Sequence, residues 1–336
     1  MATVYTGPVR ADSGVQMLPF VTLRNKVDSD DVDDYFGDDR DGKHTGVCEL
    51  NHTSLDSFDA YNSFKSFAQN GYFHIPDDII QLKAIREQDS RAFWQDRKPV
   101  SAKARPVLYI HGYNMSFARG CKQASLFQSN LELDGRLILF SWPSDGTLLN
   151  YARDEVGIQW SIAPLEKILN RMIEQFGAGG FDVVAHSLGT RGLFYALTLM
   201  AHEQGRSLPL LNQLVLVAPD IDAGIFKQYL SSIRPLVKNI SLYVSANDKP
   251  LALSREVHGY PRLGESGPHL EGLTGVEIVN ISDIGVRSFS GHLYHLYHDS
   301  VIRDLDLLLN DGLSANQRET LQQTVAGHWR LLPSPE

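Results

Sequence analysis

The stretch Phe181-Asp-Val-Val-Ala-His-Ser-Leu-Gly-Thr190 changes character in its middle. Its first half is a short aliphatic run of the kind that forms a strand buried on both faces. Its second half opens Leu188 to His202, a long and mostly apolar stretch that reads as a buried helix. Between them, Ala185-His-Ser-Leu-Gly189 must turn sharply, and a serine at the apex of a strand–turn–helix unit is the pattern of a nucleophile elbow. Positions two before and two after the serine must be small, as Ala185 and Gly189 are. The usual elbow begins with Gly, so the methyl group of Ala185 is a departure. A plainer reading makes Ser187 the N-cap of the following helix, a role for which serine is favoured.

Outward from this point, short aliphatic runs alternate with helical patterns, which predicts an α/β architecture with a mostly parallel sheet and helices on both faces. Strands are expected at Pro106–Ile110, Arg136–Phe140, Phe181–Ala185, Leu214–Ala218, Ile240–Ser245 and Val276–Ile281. Leu165, Ile168, Leu169, Met172, Ile173 and Phe176 recur at helical spacing and stop at Gly177, a suitable helix end. Ser300 to Leu309 predicts a further helix. In the first hundred residues, Met17 to Leu23 reads as a strand, and Ile79 to Trp94 as a helix leading into the Pro106 strand. The expected organisation is residues 1–105 as N-terminal strands, an acidic loop and a helix joining the same fold. Residues 106–310 follow as the core, and 311–336 as a C-terminal helix and tail.

The 336 residues are 43% hydrophobic and 21% charged, enough for one large core. A net charge of -9 gives no electrostatic footprint for nucleic acid or an anionic membrane, so a small uncharged partner fits better. Eight aspartates against three basic residues between Lys26 and Lys43 supply five of those nine charges, and such a run reads as a solvated loop. Asp39-Arg-Asp-Gly42 echoes part of a calcium loop, but Gly37 and Cys48 would occupy its first and twelfth positions. The start Met-Ala-Thr-Val-Tyr-Thr-Gly-Pro lacks the pattern of a signal peptide, and no apolar run approaches the roughly 20 residues of a membrane span. A cytoplasmic protein without an integral membrane segment is expected. Cys48 and Cys121 are too few for a disulfide framework and lack metal-ligand neighbours; Cys121 is expected in a helix facing the core.

A serine hydroxyl is a weak nucleophile unless a base lies within hydrogen-bond reach, a third group orients that base, and donors await the oxyanion. Where an elbow serine is catalytic, the acid and then the histidine follow it in the chain, on later strand ends. Asp248, in Ser245-Ala-Asn-Asp-Lys-Pro250, is the preferred acid, and Asp220, in Ala218-Pro-Asp-Ile-Asp222, is its rival one strand earlier. Gly291-His-Leu-Tyr-His-Leu-Tyr-His298 offers three histidines. His292 is the expected base because it follows a glycine in a loop, whereas His295 and His298 are expected to pack or face solvent. Their spacing of three could place metal ligands on one face, but no His-Glu-x-x-His signature accompanies them, and neither metal nor cofactor is expected. Oxyanion donors are expected from the amides of Leu188 and Tyr113, with Gly112 letting the His111-Gly-Tyr-Asn114 loop turn toward the site. His111-Gly112 could also be a simple tight turn.

These motifs together resemble the bacterial esterase/lipase-like α/β-hydrolases. The likeness is to a branch that pairs a His-Gly-Tyr-Asn-x-Ser-Phe loop, here His111 to Phe117, with a Ser-Trp-Pro-Ser strand end, here Ser141 to Ser144. Ala185 to Gly189, Ala218 to Asp222, Ser245 to Leu251, and Gly291-His292 ahead of Asp304-Leu305 carry the rest. The resemblance spans roughly 106–309. It implies the α/β-hydrolase fold, a triad of Ser187, Asp248 and His292, and hydrolysis of a small-molecule carboxylic ester. A thioesterase or acyltransferase would use the same residues, and a non-catalytic binding protein could keep the fold. The stretch from Ala252 to Gly275, expected as a long loop rich in Gly and Pro, and the acidic loop are candidate walls or lids.

Overall fold

The computed structural model describes residues 14–53, 75–97, 105–133, 135–146, 150–204, 209–284 and 292–333. In chain order its first half holds β1 (Gly14–Lys26), β2 (Phe36–His52), β3 (Ile80–Glu87), α1 (Ser90–Gln95), β4 (Val107–Ile110), α2 (Phe117–Asn130), β5 (Leu137–Ser141), α3 (Tyr151–Trp160) and α4 (Ile162–Phe176). Then come β6 (Asp182–His186), α5 (Leu188–Gln204), β7 (Leu211–Val217), α6 (Ala223–Ile233), β8 (Val237–Val244) and α7 (Lys249–His258). The chain closes with β9 (Glu277–Asn280), α8 (Tyr294–Tyr297), α9 (Asp299–Leu309), β10 (Leu321–Gln323) and β11 (Trp329–Leu331).

The eleven strands among the described residues join one sheet in the order β10-β11-β9-β8-β7-β6-β4-β5-β1-β2-β3. The six aliphatic runs become β4 to β9, and each pairs in parallel with its neighbours. Burial on both faces explains why they read as near-continuous apolar runs. Alternate residues feed opposite faces: Val107 and Tyr109 join one hydrophobic cluster with α2 and α9, while Leu108 and Ile110 join another with α4, α5 and α6. Helices therefore cover both faces. β6 lies near the centre, with Ala185 in register with Ile110 on one side and Leu216 on the other.

The structure departs from the expected elements in four places. Ile79 to Trp94 is not one helix: β3 alternates buried Ile80 and Leu82 with exposed Gln81 and Lys83, a period of two, and only α1 is helical. The acidic stretch is not a plain loop either, because β2 begins at Phe36 and runs through Asp38, Asp39 and Asp41 as part of a long hairpin with β1. Its charges stay in solvent, so they do not oppose extended backbone. Residues 311–333 carry a 3-10 turn at Ala315–Gln317 and strands β10 and β11 rather than an α-helix, with Leu321 and Leu331 reaching the core. Most of the first part of Ala252 to Gly275 is helical, belonging to α7.

Cys121 is buried in α2 as expected, and it is joined to Cys48 of β2 by a disulfide with Cα atoms 6.5 Å apart. That single cross-link ties the N-terminal hairpin to the helix beneath it. A buried ion pair between Arg318 and Asp304, 2.7 Å apart, fastens the C-terminal segment to α9, and Tyr243 donates to the same carboxylate at 2.5 Å. Among the described residues no helix is long and apolar enough to cross a membrane.

Candidate active site

Ser187 stands between β6 and α5 with φ of 50°, in the left-handed region that a non-glycine residue enters at a cost. Its backbone is held there on both sides. The Ser187 amide donates to Val217 O at 2.9 Å, and its carbonyl accepts from the amides of Thr190 at 3.1 Å and Asp220 at 3.2 Å. Two glycines make room for the turn. A Cβ on Gly189 would sit 2.2 Å from His111 O, and one on Gly112 would sit 2.9 Å from Ser187 Cβ. Ala185 is fully buried, its backbone paired with Ile110 of β4 and Leu216 of β7 and its methyl group in the core on one face of the sheet.

The structure brings Ser187, His292 and Asp248 together. His292 Nε2 lies 2.7 Å from Ser187 Oγ, and its Nδ1 lies 2.8 and 3.0 Å from the two carboxylate oxygens of Asp248. A carboxylate can only accept, so Nδ1 carries the proton and Nε2 accepts from the serine hydroxyl. All three are buried, with Ser187 5% exposed. Asp248 also caps α7 by accepting from Leu251 N at 3.1 Å, which sets its carboxylate at a helix N-terminus where negative charge is favoured. Gly291 lies outside the described residues.

Asp220 is not brought to His292. Its Oδ1 accepts from Arg262 Nε at 2.6 Å and Ser254 Oγ at 2.7 Å, and its Oδ2 accepts from Tyr151 at 2.5 Å. Burial alone would raise this carboxyl, but the positive charges of Arg262 and Arg191 outweigh it and hold the group below its ordinary range. Leu188 is the first residue of α5, and an amide there has no acceptor within the helix. Tyr113 follows Gly112 in the loop after β4, and its ring packs edge-on against that of Tyr151 with centroids 5.2 Å apart. His111 is fully buried and stacks on Trp142, whose Nε1 donates to His111 O at 2.9 Å.

His295 packs in the interior: it is fully buried with Nε2 3.0 Å from the Tyr109 hydroxyl. His298 donates through Nε2 to Ile284 O at 3.2 Å. Among the described residues no group of three His, Cys, Asp or Glu side chains is disposed to hold a metal ion, in the Asp39–Gly42 segment or elsewhere.

His186 is a member of the site that the sequence reading passed over. It occupies the variable position of the elbow, where its identity carries no signal of its own. Its Nε2 donates to the backbone carbonyl of His292 at 2.8 Å, and its ring lies between those of His292 and His295 at 4.7 and 4.5 Å. Burial pushes it well below the usual histidine range, with the neighbouring imidazoles adding to the shift. Tyr151, whose hydroxyl donates to Asp220, likewise carries no local signal in the sequence.

This architecture is that of an α/β hydrolase, as the match to a family model shows. Residues 88–309 match the family described as alpha/beta hydrolase of unknown function (DUF900), and the chain belongs to that family. Among solved structures, a predicted CIB-like hydrolase from Thermoplasma acidophilum is 13% identical, over 63% of this chain and 89% of that one, with a TM-score of 0.36. An esterase from Pyrobaculum calidifontis is 14% identical over 64% and 79%, at 0.34. A cold-adapted esterase from an Arctic intertidal metagenomic library is 11% identical over 91% and 99%, at 0.37. No curated protein matches the chain.

Buried neutral histidines have a consequence for stability. Burial holds His111 and His295 at about 3 and His52, whose Nε2 meets Ser125 Oγ at 2.7 Å, at about 4. Each is depressed in the folded state, so the unfolded chain binds more protons below about pH 6.5. Their contribution is complete above that pH and is lost as pH falls toward the folded values, by up to ~1.4 kcal/mol per pH unit for each group. Denaturant unfolding followed from about pH 7.5 to 5 should show this fall, and His52→Asn, remote from Ser187, should flatten it. An unchanged slope in that variant would contradict the assignment.

Proposed function

We propose that the chain is a serine hydrolase that cleaves small carboxylic esters through an acyl-enzyme on Ser187. The observation that carries this reading is the hydrogen-bonded series from Ser187 Oγ through His292 to Asp248, at 2.7 and 2.8 Å. In the first half-reaction Ser187 Oγ attacks the ester carbonyl while His292 Nε2 takes its proton. Asp248 holds the resulting imidazolium in place. The amides of Leu188 and Tyr113 receive the oxyanion, and donors of this kind are each worth about 3 kcal/mol in the transition state. Collapse of the tetrahedral intermediate expels the alcohol, which leaves with the proton from His292. In the second half-reaction His292 takes a proton from water, the hydroxide attacks the acyl-enzyme, and the carboxylic acid departs as Ser187 regains its proton.

The strained φ of 50° at Ser187 supports this over a capping role, since an N-cap serine has extended backbone and its side chain bonds to the helix amides. A net charge of -9 suits an uncharged substrate. The half-buried rings of Tyr113 and Tyr151 are the proposed aromatic wall beside the nucleophile.

A fluorophosphonate probe should label the wild type, and Ser187→Ala should abolish labelling; an unlabelled wild type would sink the enzyme reading. Asp248→Asn should lower kcat for a p-nitrophenyl ester by a factor on the order of 10⁴ by loss of the correct imidazole tautomer. Asp220→Asn should leave chemistry largely intact while lowering stability. If only the Asp220 change abolished turnover, the acid is misassigned.

A further inference from the structure

Two buried charges that take no part in the steps above converge on the loop after β4. Arg24, in β1, is fully buried. Its Nε donates to Ser141 Oγ at 2.9 Å, Nη1 to Ser144 O at 2.9 Å and Gly37 O at 3.0 Å, and Nη2 to Met115 O at 2.5 Å. Asp154, in the first turn of α3, is also fully buried. It accepts from Asn114 N at 3.0 Å, from Asp145 N at 2.7 Å and from Ser144 Oγ. Ser144 Oγ in turn accepts from Met115 N at 2.9 Å. Arginine, serine and aspartate thus form one connected brace. Burial pushes the guanidinium down to about 10, and the charges of Asp154 and Asp38 oppose the fall.

What the brace controls is the direction of one amide. Gly112 O accepts from His111 Nδ1 at 2.8 Å, and a planar trans peptide then sends the Tyr113 N–H to the opposite side. The next peptide plane is pinned by the Asn114 N bond to Asp154. Asn114 itself is left-handed, with φ of 58°, a conformation that asparagine adopts more readily than other non-glycine residues and that turns the chain at this point. Both planes flanking the Tyr113 Cα are therefore fixed, and Met115 is gripped at its amide and its carbonyl. Gly112 meanwhile presses against Ser187, leaving no space for a side chain.

We propose that Arg24 and Asp154 are positioning residues that aim the Tyr113 amide as an oxyanion donor, which makes the N-terminal hairpin part of the catalytic apparatus. Arg24 lies outside the 88–309 segment that matches the family. The proposal rests on the ester-hydrolase reading and is narrower than it: the hairpin supplies through one side chain what the core strands alone do not.

The test uses the full chain, with active sites counted by fluorophosphonate titration, a p-nitrophenyl ester as substrate and an alkyl boronic acid as tetrahedral analogue. Asp154→Asn should lower kcat per titrated site by about 10- to 100-fold with KM changed less than about threefold, short of the loss for removing a donor outright. Boronate affinity should fall by the same factor as kcat/KM, because a tetrahedral analogue reads the oxyanion donors and the ground-state ester does not. Arg24→Lys, which keeps the charge and loses the fork, should lie between wild type and Arg24→Met. A lower Tm with kcat per site and boronate affinity unchanged would overturn the proposal and leave the ester-hydrolase reading standing. A wild type that cannot be titrated would overturn both. Should Asp154→Asn not fold, Arg24→Lys and Arg24→Met carry the test, since Arg24 grips Met115 O and Ser144 O: a parallel loss of kcat per site and boronate affinity is expected, and its absence would overturn the proposal.

Discussion

The turn between β6 and α5 forces Ser187 to a φ of 50°, and much of the surrounding structure serves to hold it there. Such a conformation costs of order 1–3 kcal/mol and must be over-determined by its neighbours. Three backbone bonds do so directly, from Val217, Thr190 and Asp220. The close approach of Gly112 and Gly189 to the turn explains why neither could carry a side chain. Central placement in the sheet matters too: β6 has a paired neighbour on each side, so its end cannot shift without disturbing β4 and β7.

From that fixed point the site is assembled by strand ends. β8 leads to Asp248, which caps α7; the segment ahead of α8 carries His292; the loop after β4 carries Tyr113. His186 couples two of these pieces, because a side chain next to the nucleophile bonds the backbone of the histidine. Its neutral form suits the task. A second positive charge 4.7 Å from His292 would oppose the imidazolium that the proposed mechanism requires.

How much of this is legible in the sequence depends on whether the determining contacts are local. β4 to β9 can be read because burial on both faces leaves a near-continuous apolar run, and the elbow can be read because its small residues lie within two positions of the serine. Ile79 to Trp94 misleads because its apolar residues also fit a helical spacing, while Ile80 and Leu82 in fact alternate with polar neighbours in β3. β10 and β11 are three residues long, too short for any periodicity. Asp248 and Asp220 both follow strands, and what separates them is the set of partners: Arg262, Ser254 and Tyr151 surround Asp220, from positions 34 to 69 residues away. Arg24 belongs to the same class. Its acceptors at Met115, Ser141 and Ser144 lie 91 to 120 residues along the chain, and a lone arginine in a strand gives no hint of them.

The central claim is that Ser187 is acylated during turnover. Rapid quenching of the full chain with a p-nitrophenyl ester, followed by mass spectrometry of the peptide containing Ser187, tests it most directly. The account predicts a burst of nitrophenol of about one equivalent per active site when deacylation is slower than acylation, together with the mass of one acyl group on Ser187. Ester turnover with no acyl adduct on Ser187 at any quench time, undiminished in Ser187→Ala, would contradict it.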